Sequence, residues 1–226
     1  MTQTFGQFCP IALSSELLTQ KWILLIIREL LAGSSRFNTI RRGVPKISAT
    51  LLKQRLDMLE RAQVITKTTS ASGQQDYLLT EAGKQLQPIL ALIGEWGQRW
   101  ARDIQPDDLD PGWLVWNIHR RLNLDSMPAE QTVLEFEFTD AKSRERFFWI
   151  VVNSGNVDVC LKNPGLTVTL QIQTQVKTLA EVWRGIRDIN QEIKLKRIQL
   201  QGSKSIKQAF PSWLKLSAYA SVKRQR

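Results

Sequence analysis

The chain has 226 residues, 42% of them hydrophobic, and a formal net charge of +10. That length suits one large domain or two ordinary ones, and the composition is that of a globular protein rather than a disordered one. No apolar run reaches the roughly 20 residues that span a bilayer. The start, MTQTFGQFCP, lacks the basic and apolar regions of a signal peptide, so a cytoplasmic protein is expected.

Along the chain, Leu17, Leu18, Trp22, Leu25, Ile26 and Leu30 recur at helical spacing and predict one helix over about 15–32, stopping at Gly33. A short helix follows in SRFNTIRRG, with Ser34 or Ser35 as its cap. VPK reads as a turn. Ser48 then offers an N-cap oxygen to a helix reaching about Ala62, with Leu52, Leu56 and Leu59 on one face. Val64–Thr69 and Gln75–Leu79 predict a hairpin around SASG. Thr80 caps a last helix whose Leu86, Ile89, Leu90, Ile93, Trp96 and Trp100 form an apolar stripe.

Charge follows this order. Arg36, Arg41, Arg42, Lys46, Lys53, Arg55, Arg61 and Lys67 face only Asp57 and Glu60 between residues 33 and 67, while the flanking segments are close to neutral. Such clustering suits a polyanion. Helix, short helix, turn, helix, hairpin, helix is the order of a winged helix-turn-helix. The leucines anchor the second helix of the motif and leave Ser48, Ala49, Thr50, Lys53 and Gln54 turned away, at the end that enters a major groove. Arg41, Arg42, Lys46 and Arg55 suit phosphates, which set register without reading sequence; Arg36 joins them as a candidate DNA contact. Lys67, Gln74 and Gln75 belong to the wing.

These residues resemble the HxlR-type winged-helix regulators of bacteria over residues 9–100. The marks are Cys9-Pro10, Lys21-Trp22, the Leu30–Arg36–Phe37 run, Ile47-Ser48, Leu52, Arg55, Leu56, Leu59, and Tyr77, Leu79, Thr80 and Gly83. The resemblance implies a homodimer on a two-fold double-stranded DNA site, held by the first and last helices, with Leu17, Trp96 and Trp100 at the interface. It also makes Cys9 a redox candidate. Gln63 departs from the family, which usually has glycine there. The wing is less basic than usual, with Lys67 its only cation.

DIQPDDLDPGW, at 103–113, reads as a linker. Beyond it WLVWNIHRRLNL predicts a helix. TVLEFEF, RFFWIVV, NVDVCL and LTVTLQIQ predict strands, TLAEVWRGIRD a helix capped by Thr178, KRIQLQG a strand, SIKQAFPSWLKL a helix, and SVKRQR a solvated tail. The segment from LTVTLQIQ onward resembles the C-terminal part of the sterol-carrier-protein fold, on Thr178-Leu179, Trp183, Gly185 and Gly202. That resemblance implies an apolar tunnel for a lipid-like effector, with Phe136, Phe138, Phe148, Trp149, Trp183, Phe210 and Trp213 as candidate lining.

The expected fold class is α+β. Residues 1–103 form a winged helix-turn-helix DNA-binding and dimerisation domain, 104–130 a linker and helix, and 131–226 a sterol-carrier-like regulatory domain with a basic tail. Two cysteines and one histidine, His119, argue against structural zinc, and no nucleophile or phosphate-loop motif is present. No enzyme activity, cofactor or metal is expected, and Cys160 and His119 read as structural. The expected function is a homodimeric, sequence-specific DNA-binding regulator tuned by an apolar effector. The alternative is a lipid-like ligand carrier or sensor whose winged helix serves protein contacts.

Overall fold

The computed structural model describes residues 4–69 and 73–225. The tip of the expected SASG turn, residues 70–72, lies outside the described residues. The chain divides into two compact units, Met1–Gly94 and Glu95–Arg226. The division falls inside a helix, short of the linker-like stretch at 103–113.

The first unit contains α1 (Pro10–Leu18), α2 (Ile23–Leu31), α3 (Phe37–Gly43), α4 (Ala49–Arg61), strands β1 (Ile65–Thr69) and β2 (Gln75–Leu79), α5 (Glu81–Lys84), and the first half of α6 (Gln87–Trp100). The single helix expected over 15–32 is two helices meeting at 82°. Trp22 makes the elbow with φ 82°, a left-handed conformation that costs a non-glycine residue about 1–2 kcal/mol. Apolar spacing cannot reveal this elbow, because Leu17, Leu18 and Trp22 pack against the same core as Ile26 and Leu30.

Helix α2 ends as expected, with Gly33 at φ 89° and the Ser34 N–H donating to the Glu29 carbonyl at 3.0 Å. The N-cap of α3 is Arg36, not Ser34 or Ser35. The Arg36 N–H donates to Thr39 Oγ1 at 3.1 Å, while the Ser35 hydroxyl donates to Asp76 at 2.7 Å. Thr80 accepts the Gly83 N–H at 3.2 Å and so caps α5 rather than α6. The break between α5 and α6 follows from Pro88, which has no N–H to continue an earlier turn.

The second unit carries α7 (Pro111–His119), β3 (Thr132–Phe138), β4 (Phe147–Asn153), β5 (Asn156–Cys160), β6 (Leu170–Thr174), α8 (Val176–Trp183), α9 (Ile189–Lys194), β7 (Ile198–Gln201) and α10 (Lys204–Trp213). The sheet runs β5-β4-β3-β6-β7, with β3 and β6 parallel and the other pairs antiparallel. Ser154 and Gly155, both at positive φ, close the β4–β5 hairpin as a two-residue turn. Leu134, Phe136, Phe138, Phe148 and Ile150 form one buried cluster with Val115, Leu179, Phe210 and Trp213 from the helices.

Several boundaries differ from expectation. The linker stretch is partly ordered: Pro106–Asp108 is a 3-10 turn, and Asp110 caps α7 by accepting the Trp113 N–H at 2.8 Å. Only the second half of LTVTLQIQ is a strand. Thr178 is buried in the first turn of α8, whose N-cap is Gln175; Asp140 accepts the Val176 N–H at 3.0 Å instead. The tail is not simply solvated, since Arg224 donates to the Gln98 and Ala101 carbonyls at 3.2 and 3.0 Å. No single described helix is long and apolar enough to cross a membrane.

Candidate nucleic-acid interface

The site grows from the first turn of α4. Ser48 Oγ accepts the Leu51 N–H at 3.2 Å and starts the helix. That bond uses one hydroxyl lone pair and leaves the O–H free to donate outward. Leu52, Leu56 and Leu59 are fully buried against Ile23, Ile26, Ile27, Ile40 and Ile47. Rotation by about 100° per residue then turns Ser48, Ala49, Thr50, Lys53 and Gln54 to solvent, and all five are exposed. Arg41 and Arg42, in the last turn of α3, and Lys46, in the turn that follows, are exposed beside them in sequence.

A buried carboxylate positions this turn, and sequence reasoning missed it. Glu29 on α2 is only 1% exposed and accepts from Arg28 Nη2 at 2.9 Å. The same nitrogen donates to the Gly43 carbonyl at 2.8 Å, tying α2 to the end of α3. A Cβ on Gly43 would fall 1.9 Å from the Glu29 carboxylate, so any larger residue there forces the buried carboxylate to move. The readable signal was the glycine between Arg42 and Val44.

Three nominated residues hold the protein together. Arg55 Nε donates to the Lys21 carbonyl at 3.0 Å, fastening α4 to the elbow before Trp22. Lys67 bridges Asp57 at 2.7 Å and Glu60 at 2.5 Å, joining β1 to α4. The Asp57 hydrogen bond, and next the Glu60 bond, hold the Lys67 ammonium well above the usual lysine range. A cation already facing two carboxylates has little field left for a phosphate. Arg36 pairs with Asp76 at 3.7 Å and hydrogen-bonds Gln74. Gln75 accepts from the Tyr77 hydroxyl at 3.1 Å. The wing is therefore tied back to α3 and α4 by its polar side chains.

At α4's far end Gln63 adopts φ 55°, the left-handed cap expected where the family prefers glycine, and the Val64 N–H donates to the Leu59 carbonyl at 2.9 Å. The nominated interface residues fall on two elements. Leu17 is half-buried against the first unit's core, whereas Trp96 is 62% and Trp100 43% exposed on α6. Cys9 is exposed and caps α1 with its backbone alone.

The seven aromatic residues nominated for a tunnel do not share one. Phe136, Phe138, Phe148, Phe210 and Trp213 fill the buried cluster, with Trp183 packed at its edge. Trp149 lies on the opposite sheet face, its Nε1 donating to Glu135 at 2.9 Å, because neighbouring strand residues point to opposite sides. The open groove of about 660 Å³ on α9, β7 and α10 is lined instead by Ile193, Ile198, Leu200 and Pro211, with Lys204 and Lys207 among its polar residues.

Comparison with known proteins bears on the first unit. The family profile described as HxlR-like helix-turn-helix matches residues 17–105. The HTH-type transcriptional regulator YvaP of Bacillus subtilis (strain 168) is 35% identical over 108 residues, covering 46% of this chain and 97% of YvaP. The chain belongs to the HxlR-like helix-turn-helix family. A second relative, the HTH-type transcriptional regulator sll1512 of a Synechocystis species, is 32% identical over 97 residues, covering 42% of this chain and 72% of that protein. Among solved structures, the reduced form of the B. subtilis regulator YodB is 29% identical, covers 44% of this chain and 100% of its own, and gives a TM-score of 0.39. Membership of the HxlR-like family makes this chain a transcriptional regulator of the winged-helix type.

Proposed function

We propose that the chain is a homodimeric regulator that reads duplex sequence with the first turns of α4. The observation that carries this is the division of α4 into a leucine face with no exposure and a polar face, Ser48, Ala49, Thr50, Lys53 and Gln54, that is wholly exposed. Those side chains offer donors, acceptors and a methyl group to base edges, while Arg41, Arg42 and Lys46 supply the phosphate contacts. Arg55, Lys67, Arg36, Gln74 and Gln75 position the wing and the helix, and contact DNA only secondarily.

Dimerisation is supported by unburied apolar residues on two elements. Phe8 and Ile11, around the start of α1, are 96% and 75% exposed, and Leu92 and Trp96 on α6 are 66% and 62% exposed. One chain gains nothing from leaving such residues in water, and a two-fold partner buries them. A DNA partner places the protein in the cytoplasm.

For the second unit the reading is an effector domain of sterol-carrier-like type. The groove on α9, β7 and α10 suits an apolar effector better than the packed aromatic cluster does, because its apolar floor is open to solvent. The test of the whole reading is the salt dependence of duplex retention. Regulator binding falls steeply with salt as counterions are released, with a slope near −0.9 per neutralised phosphate. A carrier with a protein-binding winged helix gives no such slope.

A further inference from the structure

Beyond the DNA-binding reading, the second unit holds a small pocket of about 290 Å³ bounded by Asp103, Lys177, Glu181, Arg184 and Arg224. Its charges are unevenly matched. Glu181 is held by Arg187 and lies 3.9 Å from Lys177, and Asp103 pairs with Arg224 at 2.7 Å. Arg184, at the C-cap of α8, has no carboxylate within ion-pair distance among the described residues. Its Nε and Nη2 both donate to the Gln98 amide oxygen, at 3.1 and 2.7 Å. A neutral amide satisfies two donors and cancels no charge. Desolvation, followed by the nearby Arg224, holds the Arg184 guanidinium below its ordinary range.

Placing two guanidinium groups together with partial burial is costly, and Asp103, paired with Arg224, leaves Arg184 without an anion in direct contact. A guanidinium carries five donors in a planar fork that fits a carboxylate or phosphate. The Lys177 ammonium, largely exposed at the mouth, adds a point charge. The cavity falls just below the roughly 300–1,000 Å³ of pockets that enclose drug-sized ligands, which limits the occupant to a small polar molecule. We propose that this pocket binds a small oxyanion-bearing metabolite, its phosphate or carboxylate seated on Arg184 between Lys177 and Arg224. Such a ligand shares Arg224 with Asp103, and the same two arginines grip Gln98 and the Ala101 carbonyl at the end of α6.

The experiment uses the full chain. Thermal stability and isothermal titration are followed with inorganic phosphate in one arm and succinate in another, each against sodium chloride at equal ionic strength. Saturable binding to at least one oxyanion above the chloride control is expected. R184Q weakens it about tenfold or more, as expected for losing one charge-assisted bond. K177A, at an exposed position that leaves the fold intact, weakens it less but measurably, and K142A does not. Preference between the arms assigns the head group. No saturable response in either arm, or a response unchanged in both R184Q and K177A, overturns the proposal. If R184Q does not fold, unaltered binding in K177E alone overturns it. None of these readings involves DNA, so their failure leaves the regulator assignment standing.

Discussion

The wing lysine separates two accounts of how this protein meets DNA. By charge, Lys67 belongs to the basic patch. By geometry it belongs to the fold, since its ammonium sits between Asp57 and Glu60. Lys67→Met removes both bonds and leaves two carboxylates three residues apart on α4. Hydrogen bonds to charged groups contribute about 1.5–3 kcal/mol, and exposed pairs about 0.2–1 kcal/mol. Lys67 is 21% exposed and its partners 39% each, so a loss of about 1 kcal/mol is expected. For a unit of this size that lowers its melting transition by about 4–8 °C. Because the folded pKa is raised, the pair's contribution is complete below the unfolded value of about 10.4 and fades only as pH rises through the folded one. A wild-type advantage that persists across pH 6–9 is therefore expected. The salt slope of DNA binding should stay at the wild-type value, whereas Arg41→Ala, at a proposed phosphate contact, should reduce it by about one. An unchanged melting point together with a salt slope reduced by about one would mean that Lys67 meets a phosphate, and the reasoning would be wrong.

Three further outcomes follow from the same geometry. Gly43→Ala drives a methyl group into the Glu29 carboxylate and should destabilise the first unit by about 1–3 kcal/mol in urea unfolding; an unaltered midpoint would show that α3 can shift freely. If the proposed dimer forms through the exposed stripe of α6, Leu92→Glu with Trp96→Glu should leave a monomer of 25.9 kDa by sedimentation where the wild type sediments at twice that mass, with the circular dichroism spectrum preserved. Glu192 is buried, and its hydrogen bond from Arg197, then burial opposing it, leave its carboxyl below the ordinary range. Its stabilisation is present above about pH 4.3 and is lost as pH falls through the folded value, so Glu192→Gln should cost about 1–3 kcal/mol at pH 7 and flatten the acid limb of a melting-point series.

What could be read from the sequence was what local chemistry determines. Ser48 before a leucine-spaced run, Gly33 after one, and the alternation of Glu135 and Glu137 with Phe136 and Phe138 each specify their element within a few residues. The elbow at Trp22 was hidden because both of its arms serve one core, so the apolar spacing continues through the bend. Thr178 looks like a cap by sequence, but the first-turn Val176 N–H is met by Asp140, 36 residues before Val176. Charge alone points Arg55 and Lys67 toward DNA, whereas their partners within the chain, the Lys21 carbonyl and the Asp57–Glu60 pair, are set by tertiary contacts. Composition places cations near α4 but does not show that Arg55 and Lys67 are tied into the fold.

The most direct test of the central claim compares Lys53→Ala with Gln54→Ala, made together, against the wild type on a duplex selected from random sequence and on an unrelated duplex at one salt concentration. Each good base contact contributes about 1–3 kcal/mol of discrimination. Binding to the selected duplex should therefore fall about 10- to 100-fold, and binding to the unrelated duplex only by the loss of one charge. Equal losses on the two duplexes would contradict base reading by the opening turns of α4.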